Sequence, residues 1–362
     1  VSTAVASEVT LSVSALKAAL GRVSHLARPG TPIEILRRTL VRHGSGGLAV
    51  MATDLDTWAE ATVECEDGDA VAVVDASVLS GLVSKASTEE ARLVFEDEGL
   101  TLHAGGRYRM QGMDPGEYPE HRRVEGEDWT LPAGALRHAL GFVAWCQEAK
   151  GERPLFHATR LDIERGRVLA TNGHTLALIG VAEAGAPGAG ATITPSASAQ
   201  LTRWLTDGEV SIAVDADRLT ARNGGGVLTT RLVHGSYPDY TKVVPKEHSF
   251  DAEVNRAALI AACDRAALYV GRELNSKVRL TWEDGTLTVR SAQDERGESA
   301  DEVPGVAGGD FAILFNVRYL QQALARLGGE KVRMQGTAPE RATVWSGEDA
   351  ESFYLLMPQR EI

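Results

Sequence analysis

His174 comes nearest to catalytic chemistry in this sequence, standing in the run Asn172-Gly173-His174-Thr175 with polar neighbours. A general base needs an orienting partner and a substrate pocket. No serine or cysteine is nominated as a nucleophile beside it, so His174 reads as part of a turn between strands. Asp294, Glu295, Glu298, Asp301 and Glu302 form an acidic cluster. It lacks the regular oxygen-ligand spacing and the glycine of a calcium loop, and reads as a solvated loop. The glycines at 185–190 are interrupted by Pro187, and no Gly-Lys-Ser/Thr follows, so they mark a connection and not a phosphate cradle. The run at 271–277 has Ser276 where a second glycine would stand. Cys65, Cys146 and Cys263 lie too far apart for a zinc or redox motif and are expected as small buried hydrophobes. No catalytic residue, metal or cofactor is expected, and the chain reads as non-enzymatic.

Composition sets the frame for these residues. With 362 residues, 43% hydrophobic and 24% charged, the chain is long enough for two or three domains with their own cores. The net charge of −13 excludes a surface that is basic all over. A nucleic-acid partner must therefore be met by a local concentration of cations. No apolar run approaches the length of a membrane span, and the first ten residues lack a basic stretch followed by an apolar core, so a cytoplasmic protein with no membrane partner is expected.

Internal repetition organises the chain. Ala-Leu-Lys-Ala-Ala-Leu-Gly-Arg-Val at 15–23 returns as Ala-Leu-Arg-His-Ala-Leu-Gly-Phe-Val at 135–143. Ala-Thr-Asp-Leu-Asp-Thr-Trp-Ala at 52–59 returns as Ala-Thr-Asn-Gly-His-Thr-Leu-Ala at 170–177, and Gly-Glu-Tyr-Pro at 116–119 as Gly-Ser-Tyr-Pro at 235–238. A weaker third copy begins at Ala258, and Tyr354 to Pro358 close the chain where Tyr-Pro closes the other copies. The reading is three units, at residues 1–126, 127–247 and 248–362. Each has an opening helix at 3.6-residue periodicity, alternating strand runs and a second helix, an α+β domain of two helices and antiparallel sheets used three times. The second helices are expected to be capped by Asp75 or Ser77, by Ser198 and by Asn316.

Charge is partitioned between helices and the rest. Helices expected at 14–28, 76–87, 133–150, 196–206, 252–266 and 316–327 carry Lys17, Arg22, Arg28, Lys85, Arg137, Lys150, Arg203, Arg256, Arg265, Arg318 and Arg326 against three acids, Glu148, Glu253 and Asp264. Basic helices on one face with acidic strands elsewhere would draw a polyanion to that face.

These features together resemble the bacterial DNA polymerase III beta subunit, the beta sliding clamp. The carrying motifs are the segment 170–177, Gly-Ser-Tyr-Pro-Asp-Tyr at 235–240 with Val-Val-Pro-Lys at 243–246, Phe-Asn-Val-Arg-Tyr-Leu at 315–320, Val-Arg-Met at 332–334 and Tyr-Leu-Leu-Met-Pro at 354–358. The resemblance implies a head-to-tail homodimer closing a six-domain ring that encircles duplex DNA without regard to sequence, slides, and recruits the DNA polymerase III catalytic subunit, the clamp loader and other proteins bearing clamp-binding motifs. It implies a peptide groove at Phe156, Thr171, Gly173, His174, Thr175, Leu176, Pro238, Lys242, Val243, Leu355, Met357, Pro358, Gln359 and Arg360. It adds Arg28, Lys150 and Arg153 as DNA-facing positions and sets Tyr108, Met110, Ala267 and Leu268 at the dimer seam. The family usually has an acid where Asn172 stands and a basic residue where Thr175 stands, and Glu361 falls where its members commonly end apolar. These departures raise an alternative, a divergent paralogue with an altered groove that tolerates or sequesters a clamp-directed inhibitor and so bears on antibiotic resistance.

Overall fold

The computed structural model describes residues 7–147, 153–270, 276–293, 297–349 and 351–360; Lys150, Asp294, Glu295 and Glu361 lie outside them. Among the described residues there are six α-helices: α1 (Val13–Val23), α2 (Ala76–Ser84), α3 (Ala133–Val143), α4 (Pro195–Trp204), α5 (Arg256–Val270) and α6 (Val317–Arg326). Each follows a strand at once or after a single residue, which is the repeated pattern read in the sequence. Every described pairing between the named strands is antiparallel. The architecture is α+β, as expected.

By contact density the chain forms two compact units, 1–137 with 184–232 and 138–183 with 233–362. In the first, an eight-stranded sheet runs in the order Ala70–Asp75, Arg38–Gly44, Gly47–Thr53, Thr57–Val63, Gly226–Arg231, Arg218–Asn223, Glu209–Val214, Trp129–Pro132. A four-stranded sheet is built from Glu8–Ser12, Glu90–Glu96, Gly99–His103 and Arg107–Gln111. In the second unit, strands run in the order Thr159–Asp162, Arg167–Thr171, Thr175–Gly180, Phe353–Leu356, Thr343–Ser346, Lys331–Gly336, Phe250–Asn255, Gly305–Ala307. Its four-stranded sheet is Gly297–Val303, Thr286–Gln293, Lys277–Glu283 and Phe311–Asn316. Strands such as Thr57–Val63 and Thr175–Gly180 are buried almost throughout, so both faces of those sheets are covered, whereas Lys277–Glu283 alternates between buried and half-buried positions.

Helix boundaries follow local chemistry. Asp75 Oδ1 accepts from the backbone N–H of Ser77 and Val78, and Asn316 Oδ1 from that of Arg318, so both act as the expected N-caps. The expectation for Ser198 is corrected: Thr194 is the cap, accepting from Ala197 N at 3.1 Å with Pro195 in the first turn, and Ser198 is buried inside α4. The helix expected from residue 252 starts at Arg256. Phe250, Ala252 and Val254 alternate inward from a strand paired with Lys331–Gly336, and this period of two prevails over the helical reading. The acidic cluster is corrected likewise, because Glu298, Asp301 and Glu302 sit on the strand Gly297–Val303 and Asp301 pairs with Arg265 at 2.8 Å.

Candidate peptide groove and basic helix surface

The groove is built on a hairpin of the second unit. Strands Arg167–Thr171 and Thr175–Gly180 pair with Thr171 opposite Leu176, and the last strand of the chain then sets Leu355 opposite Leu176. The connecting turn is held by its own side chains. Thr171 Oγ1 donates to the Thr175 carbonyl at 2.7 Å and accepts from Gly173 N at 3.1 Å. Asn172 Oδ1 accepts from His174 N at 2.9 Å, Thr175 N at 2.8 Å and Thr175 Oγ1 at 3.1 Å. Gly173 takes φ +84°, the left-handed region that favours glycine. A single carbonyl oxygen thus does here what a carboxylate oxygen would do, and asparagine in place of an acid leaves the turn intact. Thr175 is 1% exposed with its hydroxyl turned onto Asn172, so it gives the rim no donor.

Around this turn lies a cavity of about 230 Å³. It gathers Phe156, Thr171, Gly173, His174, Thr175, Leu176, Pro238, Val243, Leu355 and Met357, which are ten of the fourteen positions expected to form the groove. Asp239 and Tyr240 also line it; they follow Pro238 directly in the Tyr-Pro-Asp-Tyr motif, so the signal for them was in the sequence. Lys242 lines an adjoining cavity that shares Val243 and Met357 with this one. Pro358, Gln359 and Arg360 line neither cavity; Gln359 N donates to the Leu314 carbonyl and the Arg360 carbonyl accepts from Lys277 Nζ, which ties the tail to the chain. The ring of His174 stacks near that of Tyr319 at 6.3 Å, and its carbonyl accepts from Met357 N at 2.9 Å. His174 is a turn residue, as its sequence setting indicates.

Apolar anchors are exposed at the mouth and buried at the floor. Val243 and Met357 are 53% and 40% exposed, whereas Leu176 and Leu355 are each 3%. An apolar floor beneath an exposed apolar mouth is the form of cleft in which apolar ligand groups can be buried. Beneath it, burial pushes the Cys146 thiol up to about 12 and keeps it protonated and inert. Cys263 is likewise buried, while Cys65 is only half-buried.

The first unit holds a second version of the same turn, and its own side chains fill it. Thr53 Oγ1 donates to Thr57 O, Leu55 N to Thr53 Oγ1, and Thr57 N to Asp54 Oδ1. Trp58 stands where Leu176 stands, and it faces Thr229 across the sheet as Leu176 faces Leu355. His121 stacks over Trp58 at 6.4 Å with Nε2 3.0 Å from Thr229 Oγ1. An indole and an imidazole occupy the volume that stays open in the other unit.

The observed helices carry eight lysines and arginines against one acid, Asp264, so the charge partition holds with the corrected boundaries. Not all of the cations point to solvent. Arg22 donates to the carbonyls of Trp204, Asn223 and Gly224 and lies over the Trp204 ring at 4.4 Å; burial lowers its pKa. Arg137 donates to the Leu205 carbonyl at 2.7 Å, and Arg256 to those of Leu324 and Gly329. These three arginines satisfy carbonyls at the C-terminal ends of α4 and α6 that the helix itself leaves unpaired. The structure therefore gives them a bracing role that the sequence did not suggest. Arg265 pairs with Asp301, and Arg28 with Asp54 at 3.1 Å while remaining 58% exposed. Lys17, Lys85, Arg203 and Arg318 are exposed. Arg153 lies with its guanidinium 4.1 Å from the centre of the Phe156 ring, beside the groove.

Of the positions expected at a dimer seam, Leu268 is 74% exposed and Tyr108 39%, and Ala267 is half-buried. Met110 is 5% exposed, turned into its own sheet opposite Leu100, and has little surface to offer a partner. Among the described residues no group of acids, histidines and cysteines is placed to hold a metal, and no helix is long and apolar enough to cross a membrane.

Repeated α+β units with cationic helices and an open apolar cleft are the features of the DNA-clamp class of folds. Residues 241–360 match the family of the DNA polymerase III beta subunit, C-terminal domain. The beta sliding clamp of Synechococcus elongatus is 25% identical over 348 residues, covering 92% of this chain and 93% of that protein. The beta sliding clamp of Pseudomonas aeruginosa is 28% identical over 275 residues, covering 73% and 75%. A crystal structure of the Pseudomonas aeruginosa sliding clamp bound to griselimycin shares the fold with a TM-score of 0.90, at 24% identity, over 98% of this chain and 99% of that one. The chain is similar to the bacterial beta sliding clamps over almost its whole length, and its C-terminal third matches the DNA polymerase III beta subunit family.

Proposed function

We propose that this chain is a non-catalytic processivity factor of DNA replication. Two copies close head to tail into a ring around duplex DNA in the cytoplasm, with each copy supplying three clamp domains at residues 1–126, 127–247 and 248–362. The observation that carries the reading is the charge partition: eight cations and one acid on the helices of a chain whose net charge is −13, on a beta sliding clamp fold. A ring retains its partner by topology, so phosphate contacts can stay weak and sequence-independent and still allow sliding. Head-to-tail contacts that close after two copies leave no free interface, and the exposed Leu268 and Tyr108 supply its apolar part. The groove beside His174 takes the apolar anchors of clamp-binding peptides from the polymerase catalytic subunit, the clamp loader and repair proteins. No observation favours the alternative of an inhibitor-tolerant paralogue, since Asn172 preserves the turn.

The reading predicts that adding the chain with a bacterial clamp loader and ATP to DNA polymerase III catalytic subunit on primed circles lengthens products at least about tenfold. Product lengths unchanged from polymerase alone, under conditions where an established beta clamp extends them, would overturn it.

A further inference from the structure

The sheet face that carries the groove continues past it. Alternation along Thr175–Gly180 puts Leu178 and Gly180 on the face of Leu176, and along the last strand it puts Phe353 on the face of Leu355. These continuing positions floor a second cavity, about 550 Å³, in the same unit. Tyr240 lines both cavities and stands between them, its hydroxyl donating to the buried Asp162 Oδ2 at 2.6 Å. The two chambers thus meet at one anchored ring.

The two chambers differ in charge. The groove is apolar at its floor, whereas Arg165, Arg167 and Lys246 line the second chamber, with Glu351 as the one acid in its lining. Arg165 pairs with Asp162 at 3.2 Å while its side chain stays 50% exposed, and Arg167 is exposed, so both present charge at the chamber wall. Lys246 is exposed and makes no hydrogen bond or ion pair among the described residues. Cations over an apolar floor suit a carboxylate-bearing chain that also has methylene groups to bury.

We propose that this second chamber takes the acidic flank of a partner peptide whose apolar residues sit in the groove, making it a specificity subsite for glutamate- or aspartate-rich segments. The inference rests on the groove reading above and deepens it. Tyr240 is the one lining residue the two chambers share, and two or three extended residues, at roughly 3.3 Å each, span a side chain of that size. Exposed ion pairs of this kind act additively and weaken with salt, which gives the subsite discrimination more than strength.

The test titrates three fluorescent peptides with the full chain: the clamp-binding segment of a polymerase III catalytic subunit, the same segment extended by Glu-Glu-Glu, and the same extended by Ser-Ser-Ser, with extensions made at either end in turn. At one end the acidic extension is expected to tighten binding about fivefold over the serine extension in low salt, and Lys246→Glu to abolish that gain while leaving the unextended peptide unchanged. A photo-crosslinker in the acidic extension is expected to label 240–246 or 165–182. Equal affinities for the acidic and serine extensions, or a gain that survives Lys246→Glu, would overturn the subsite. Failure of the unextended peptide to bind would instead overturn the groove reading and, with it, a subsite defined as its continuation.

Discussion

Replacing Val243 and Met357 together by aspartate is expected to weaken a clamp-binding peptide by roughly a hundredfold while leaving the unfolding temperature almost unchanged. Both side chains are large, apolar and well exposed at the mouth of the groove, so the fold gains little from them and surface substitution there costs it little. A bound peptide reverses that position. Its anchors would bury apolar area against Val243 and Met357, and a carboxylate at either place would be desolvated with no partner. A loss of ~1.5 kcal/mol at each site compounds to about two orders of magnitude in Kd. Fluorescence anisotropy with a labelled polymerase peptide, alongside calorimetry of both proteins, checks both halves. A change in affinity below threefold would mean that peptides bind elsewhere.

The second large effect concerns the support beneath the groove. Tyr354 is fully buried, its ring 4.4 Å from that of Phe142 and 5.2 Å from that of Trp145, and its hydroxyl donates to the Phe142 carbonyl at 2.8 Å. Phe142 is the penultimate residue of α3, so this carbonyl is among those the helix cannot pair. Tyr354→Ala removes the ring and the bond together and is expected to cost about 4 kcal/mol. Tyr354→Phe keeps the ring, strands the carbonyl and is expected to cost about 1 kcal/mol. Urea unfolding followed by tryptophan fluorescence separates the two. Equal losses for both variants would show that the hydroxyl and not the ring packing carries the contact.

The repeats made much of this architecture legible. Leu16, Leu20 and Val23 at helical spacing mark α1, and the Thr-Asn-Gly-His-Thr run marks the turn that shapes the groove, because both signals are local. The start of α5 is not legible in the sequence, since a strand running straight into a helix shows no break in composition and only the pairing of Phe250–Asn255 with Lys331–Gly336 decides it. The bracing arginines were equally hidden. Arg22 and Trp204 are 182 residues apart, and an arginine on a helix reads the same from sequence whether it faces a phosphate or a neighbouring helix end. Burial of Met110 depends on which face its strand turns inward, a matter of one residue in register. That the Thr53–Thr57 turn makes no second groove follows from Trp58 and His121, whose meeting depends on tertiary pairing.

The most direct measurement is topological. The purified chain is loaded by a bacterial clamp loader with ATP onto a nicked circular plasmid, the complex is isolated by gel filtration in high salt, and the DNA is then cut once with a restriction enzyme. A ring held by encirclement stays on the circle through the salt and leaves on cutting, because it slides off the new ends. Protein that washes from the intact circle in salt, or that stays bound after linearisation, is held by contacts and not by topology, and either result would contradict the account.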